Sequence, residues 1–291
     1  MNNNKNSPIG IFDSGLGGLT AVNALKTLLP AENFVYVGDT ARVPYGGKDV
    51  DTLRLYGKQI IAFLQDVHNV KLIIVACGTI SSNVMADLRK MFAVPLIDVV
   101  LPGIAACLQF CKQHNKRKVG VIATEATIKS GFFQRKLAEN NEIDKADIIQ
   151  LQTAACPLFV PIIEAGLANT VISQQIAAAY LHKWSDFSQN QQNQQNSTNL
   201  IDLIDTLILG CTHYPLLSEQ IQQILPNVHL IDMAQAALVE TNNYLTIHKM
   251  HKNSVDKNIT NKFYVSGDIS KFNAQASKIT GLTVAAERFL V

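Results

Sequence analysis

Two cysteines carry the chemistry that stands out in this chain. Cys77 lies in KLIIVACGTISSNV and Cys211 in DTLILGCTHYPLL, each directly after a short β-branched run. Each precedes an aspartate, Asp98 or Asp232, by 21 residues, so the two segments read as copies of one unit. A lone thiol at a strand end is ordinarily a small apolar core residue. Duplication at a matched position among polar neighbours points instead to a paired role, one thiol on each wall of a common cleft. In GCTHYP, Cys211, Thr212 and His213 are consecutive before Pro215. An imidazole near a thiol can hold it close to its ionisation point, as a nucleophile or base requires. Neighbours on an extended chain face opposite sides, so this adjacency alone makes no dyad, and it suits a metal pair poorly.

The segment IFDSGLGGLT follows the first apolar run and opens a helix, where backbone N–H groups can receive an anion. As a dinucleotide fingerprint it fails, because the final glycine position holds Thr20 and the next suitable carboxylate, Asp39, comes 24 residues after Gly15. Asp13 and Ser14, at a strand's carboxyl end, suit another use: Asp13 as a proton partner or a holder of a substrate ammonium. Cys107 and Cys111 share one helix face and read as core, and Cys156 in AACPLF reads as structural. Glu164 in VPIIEAG is an isolated carboxylate that solvent exposure explains as easily as function. Trp184 and the terminal LTVAAERFL carry no functional signal.

The elements that must position these residues alternate. Short runs at 9–12, 34–37, 72–75, 119–122, 206–209 and 263–265 read as buried parallel strands, separated by helical stretches such as 16–29, 51–67 and 81–91. The expected class is α/β, two pseudo-symmetric α/β domains with mostly parallel sheets facing each other across a cleft. PIGIFDSG echoes KVGVIATEATIKSG, pairing Gly10 with Gly120, Asp13 with Ala123 and Ser14 with Thr124. The expected units are 1–99 plus 215–291, and 100–214. The second copy is longer by 24 residues between Thr124 and Cys211, and the polar run SQNQQNQQNSTN at 188–199 is read as a mobile surface loop.

Composition narrows the partners. Of 291 residues, 47% are apolar, and 25 basic side chains nearly balance 23 acidic ones with no basic run, so neither nucleic acid nor an anionic membrane is an expected partner. The start MNNNKNSPIG has no signal-like apolar region, and every apolar run is too short to span a bilayer, so a cytoplasmic protein is expected. Five scattered cysteines without a CxxC spacing argue for reduced thiols and against a structural zinc site.

Taken in order, IGIFDSGLGGLTAV, VYVGDTARVPYGGK, VGVIATEATIKSG and LILGCTHYPLL resemble the glutamate racemases, over Ile9 to about Asp232. The resemblance implies a cofactor-independent enzyme that interconverts L- and D-glutamate with two cysteines and supplies D-glutamate for peptidoglycan. Inverting a stereocentre by proton transfer needs a base on one face of Cα and an acid on the other, which one residue cannot provide. By similarity Cys211 acts on L-glutamate and Cys77 on D-glutamate. Asp13 is expected to assist Cys77, and His213 and Glu164 to assist Cys211. Ser14 matches the first-strand pair, Pro44, Tyr45 and Gly46 the loop receiving the substrate side chain, and Thr79, Thr124, Thr127 and Thr212 the hydroxyls of the pocket. No metal or cofactor is implied, and a homodimer is expected.

One position departs from the pattern. Where the family has Asn after the first cysteine, this chain has Gly78. The Asn normally contacts substrate, and losing such a bond would cost roughly 1.5–3 kcal/mol unless a water or Ser81 replaces it. That change keeps two alternatives open: a racemase of a related amino acid such as aspartate, or a glutamate-binding protein with weak catalysis. Some members with a longer N-terminal extension respond to a peptidoglycan precursor. Only eight residues precede Ile9 here, so no activation by the muramoyl-alanine nucleotide is expected, and a severalfold rate rise on adding it would overturn that.

Overall fold

The computed structural model describes residues 5–143, 148–189, 204–252 and 260–290. Strands β1 (Ile9–Asp13), β2 (Phe34–Gly38), β3 (Leu72–Val75), β4 (Leu96–Asp98), β9 (Lys262–Val265) and β10 (Glu287–Arg288) form one sheet in the order β10-β9-β2-β1-β3-β4. Strands β5 (Lys118–Ala123), β6 (Gln150–Ala155), β7 (Thr206–Leu209) and β8 (His229–Asp232) form a second, ordered β6-β5-β7-β8. Every strand pairing is parallel. The order β2-β1-β3-β4 is thus repeated as β6-β5-β7-β8. Register repeats too: Gly10 faces Ile73, four residues before Cys77, and Gly120 faces Leu207, four before Cys211.

Parallel strands need crossovers, and helices supply them. In the first half these are α1 (Leu19–Leu28), α2 (Val50–Ala62), the short α3 (Gly78–Asn83) and α4 (Met85–Met91). The second half uses α5 (Val100–His114), α6 (Glu125–Lys129), α7 (Phe132–Ile143), α8 (Phe159–Glu164), α9 (Val171–Gln189) and α10 (Ser218–Ile224). The chain returns through α11 (Met233–Ile247) and ends with α12 (Ile269–Thr280). The aspartates of the echo serve this architecture. Asp98 accepts the N–H groups of Val100 and Leu101, both at 2.8 Å, and Asp232 those of Ala234 and Gln235, at 2.7 and 3.2 Å. Each closes the first turn of a connecting helix.

Strand β8 lies in the second sheet, so that unit extends beyond residue 214, where the sequence reading ended it. The pairing of Leu207 with Leu230 and of Leu209 with Asp232 decides this. The helical stretch 81–91 is broken at Val84, whose backbone leaves the helical region. Of the loop placed at 188–199, the first two residues end α9, and the others lie outside the described residues. One hydrophobic cluster runs through both halves, joining Ile9, Ile11 and Leu72 to Val119, Ile208 and Ile231 by way of α1, α5, α11 and α12. Two further clusters cover the outer face of each sheet.

A buried ion pair ties the base of the first half. Lys71 Nζ donates to Glu32 Oε2 at 2.5 Å and to the carbonyls of Lys5 and Met250, while Glu32 Oε1 accepts the Lys252 N–H. Lys71→Met would leave that carboxylate buried without its counter-charge. It should lower stability by about 3–5 kcal/mol, measured by urea denaturation.

Candidate active site

Both cysteines emerge where strands end. Cys77 follows β3 and precedes the first turn of α3; Cys211 follows β7, where the Gly210 N–H still donates to Ile122 of β5 at 2.7 Å. The thiols are buried, 4% and 7% exposed, and border one pocket from the two sheets. The cavity between them is nearly closed, about 10 Å³, room for roughly one water. Ser14, Pro44, Tyr45, Gly46, Gly78 and Thr79 line it from the first half, and Thr124, Val160, Thr212 and His213 from the second. Asp13, Thr127 and Glu164 do not line it and stand behind its walls.

The two thiols have unlike surroundings. Cys211 Sγ lies 3.7 Å from His213 Nδ1, and His213 Nε2 lies 2.7 Å from Glu164 Oε1. Glu164 also accepts the Leu16 N–H at 2.8 Å. Ordinary solvent exposure therefore does not account for this carboxylate, whose side chain is only 17% exposed. Burial opposes a charge on His213, but its bonds to Cys211 and Glu164 outweigh that and raise its pKa well above the usual value. Burial likewise works against the Glu164 carboxylate, yet the hydrogen bond and charge of His213 hold it below its ordinary value. A charged imidazole held by the Glu164 carboxylate is the state these shifts favour.

Cys77 has no such partner. Its thiol donates to Ser14 Oγ at 3.8 Å. Burial, then the nearby charge of Asp13, pushes it up to about 12, so it keeps its proton at neutral pH. Asp13 itself accepts the Gly15 N–H at 2.9 Å and the Thr212 hydroxyl at 3.3 Å, reaching across to the second half.

The glycine-rich turn does receive an anion, and that anion is the protein's own Glu164. Gly15 lacks the side chain that would collide with the Glu164 carboxylate, and Gly17 the one that would collide with His213. Asp39 is no ribose ligand: fully buried, it accepts Arg42 Nε at 2.5 Å, Ser266 Oγ at 2.6 Å and the Tyr45 hydroxyl. It fastens Tyr45 against the pocket. The threonines form a hydroxyl chain between the halves, Thr79 to Thr124 and Thr124 to Thr127, each at 3.0 Å. Ser82, 3.5 Å from Thr127, and Asn83, whose amide donates to the carbonyls of Thr79 and Ala126, join the halves beside it. Sequence reasoning passed over Val160, Ser82 and Asn83, which bear no motif of their own. Cys107, Cys111 and Cys156 are buried, and the Cys156 carbonyl accepts the Tyr214 hydroxyl at 2.9 Å.

Residues 19–241 match the family model for Asp/Glu/hydantoin racemases. A glutamate racemase from Hydrogenobaculum sp. is 40% identical over 235 residues, covering 81% of each chain. The chain belongs to the glutamate racemase family. This racemase is also similar in structure to the Francisella tularensis glutamate racemase solved with D-glutamate, at a TM-score of 0.81 and 34% identity over 98% of each chain. A Bacillus anthracis glutamate racemase gives a TM-score of 0.82 at 30% identity, covering 99% of this chain and 98% of the other. The racemase shows, among the described residues, no His, Cys, Asp and Glu grouping that could hold a metal ion and no helix long and apolar enough to cross a membrane.

Proposed function

We propose that this racemase interconverts L- and D-glutamate by a two-base mechanism without a cofactor. The observation that carries the reading is the pair of buried thiols bordering one pocket from opposite sheets. Cys211, as thiolate beside a charged His213, takes the α-proton of L-glutamate. The electron pair left on Cα is delocalised into the α-carboxylate. The protonated Cys77 thiol then delivers its proton to the opposite face, giving D-glutamate, a Cys77 thiolate and a Cys211 thiol. Asp13 is the group placed to favour the return of a proton to Cys77. The reverse reaction exchanges the roles.

Tyr45, Gly46 and Pro44 form the wall for the substrate side chain, and Ser14, Thr79, Thr124 and Thr212 offer hydroxyls to the carboxylates. Gly78 contributes backbone alone. In the cell the proposed role is cytoplasmic supply of D-glutamate for peptidoglycan, by a homodimer.

The test is to incubate the protein with L-glutamate, and separately D-glutamate, in deuterium oxide with no cofactor added. Circular dichroism and the α-proton NMR signal should decay together. Glutamate that binds while both signals persist would overturn the reading. Aspartate run in parallel addresses the alternative raised by Gly78, and faster loss of its optical activity would shift the substrate assignment.

A further inference from the structure

Between the two thiols the halves meet backbone to backbone. A Cβ on Gly78 would lie 2.7 Å from the Gly210 carbonyl oxygen and 3.6 Å from its carbon. Gly210 has nowhere to withdraw. Its N–H is held by the Ile122 carbonyl at 2.7 Å, and a Cβ of its own would lie 2.7 Å from that oxygen and 2.9 Å from Ala123 Cβ. Gly15 and Gly46 also face the second half, but they oppose the side chains of Glu164 and Thr124, and Gly17 opposes the His213 ring and its backbone nitrogen. Gly78 opposes main chain. It is bonded to Cys77, and Gly210 is bonded to Cys211.

We propose that Gly78 is a spacing residue whose missing side chain lets the segment after Cys77 seat against the carbonyl before Cys211, fixing the gap across which protons are relayed. The proposal rests on the two-cysteine reading and deepens it. Any side chain at 78 must displace one of the two segments, since its Cβ would lie 2.7 Å from a backbone oxygen, and each sulfur sits one residue from that contact. Proton transfer is steeply sensitive to such displacements, which reach about a hundredfold in rate for 1 Å. The hydroxyl bridge from Thr79 to Thr124 and the Asn83 amide on the Ala126 carbonyl lie beside the contact and would be stretched by the same separation. On this view Gly78 is not a lost polar contact waiting to be restored. It is a requirement of how closely this chain brings its halves together.

The experiment compares wild type, Gly78→Ala and Gly78→Asn in both directions by circular dichroism, with glutamate carrying hydrogen or deuterium at Cα. Both variants should lower kcat roughly ten- to a hundredfold, leave KM within about threefold, and raise the isotope effect as proton transfer becomes limiting. A purely structural role would not raise the isotope effect. Gly78→Ala with kcat within about twofold of wild type overturns the proposal, and so does Gly78→Asn with improved kcat/KM, the result expected if the position merely lacks a hydrogen bond. A Gly78→Ala chain that does not fold overturns it as well, since the contact would then be a folding requirement. Failure of the underlying mechanism is distinguishable: wild type would not racemise glutamate, or Cys77→Ser would retain turnover.

Discussion

Cys77→Ser should reduce racemisation of glutamate by about 10⁴-fold in both directions, and Cys211→Ser by a similar factor. The hydroxyl that replaces either thiol is a far weaker acid, and its conjugate base is out of reach near neutral pH in a buried pocket. Each single-thiol protein keeps half of the machinery. Cys77→Ser retains Cys211, His213 and Glu164, so it should still wash solvent deuterium into L-glutamate slowly, with configuration kept. Cys211→Ser should do so only with D-glutamate. Chiral chromatography with mass spectrometry reads both results, and a Cys77→Ser protein that inverts its substrate at an appreciable rate would end the two-base assignment.

His213→Asn should lower the rate about 10³-fold, because Cys211 loses the ring nitrogen 3.7 Å from its sulfur, its proposed proton partner. Glu164→Gln acts one step further out, and its diagnostic is the pH profile. Glu164 helps to raise the pKa of His213, so the imidazolium persists to higher pH than an ordinary histidine would allow. Without the carboxylate, His213 loses its proton at lower pH. The alkaline limb of the kcat/KM profile should therefore move to lower pH in Glu164→Gln. A limb that stays in place would show that the carboxylate only orients the ring.

The repeat was legible because both copies keep their strand, cysteine and helix-capping aspartate at one spacing. The six strands read from the sequence were those rich in β-branched residues. Strand β6, QLQTAA, lies at a sheet edge with its side chains only partly covered, so nothing required an apolar run there. Strands β4, β8 and β10 are two to four residues long and hold their places through pairing rather than composition. Missing β8 also misplaced the return to the first unit. Glu164 was hard to interpret because its partners, His213 and the Leu16 N–H, lie 49 and 148 residues away. The glycines at 15, 17 and 78 were ambiguous for the same reason: what they make room for belongs to the other half.

The unequal surroundings of the two thiols have a kinetic corollary. In water the enantiomers have equal free energy, so kcat/KM must be the same for both, however differently the walls are built. Under the two-base mechanism proposed above, converting L to D leaves the proton on the wrong sulfur, in the form that accepts D rather than L. The empty pocket must pass that proton back before another L-glutamate can react. Burial and the charge of Asp13 push the Cys77 thiol up to about 12, so under that mechanism its hold on the proton sets the cost of this reset. An enzyme working this way carries a short memory of its last substrate, and that memory determines how each enantiomer saturates it.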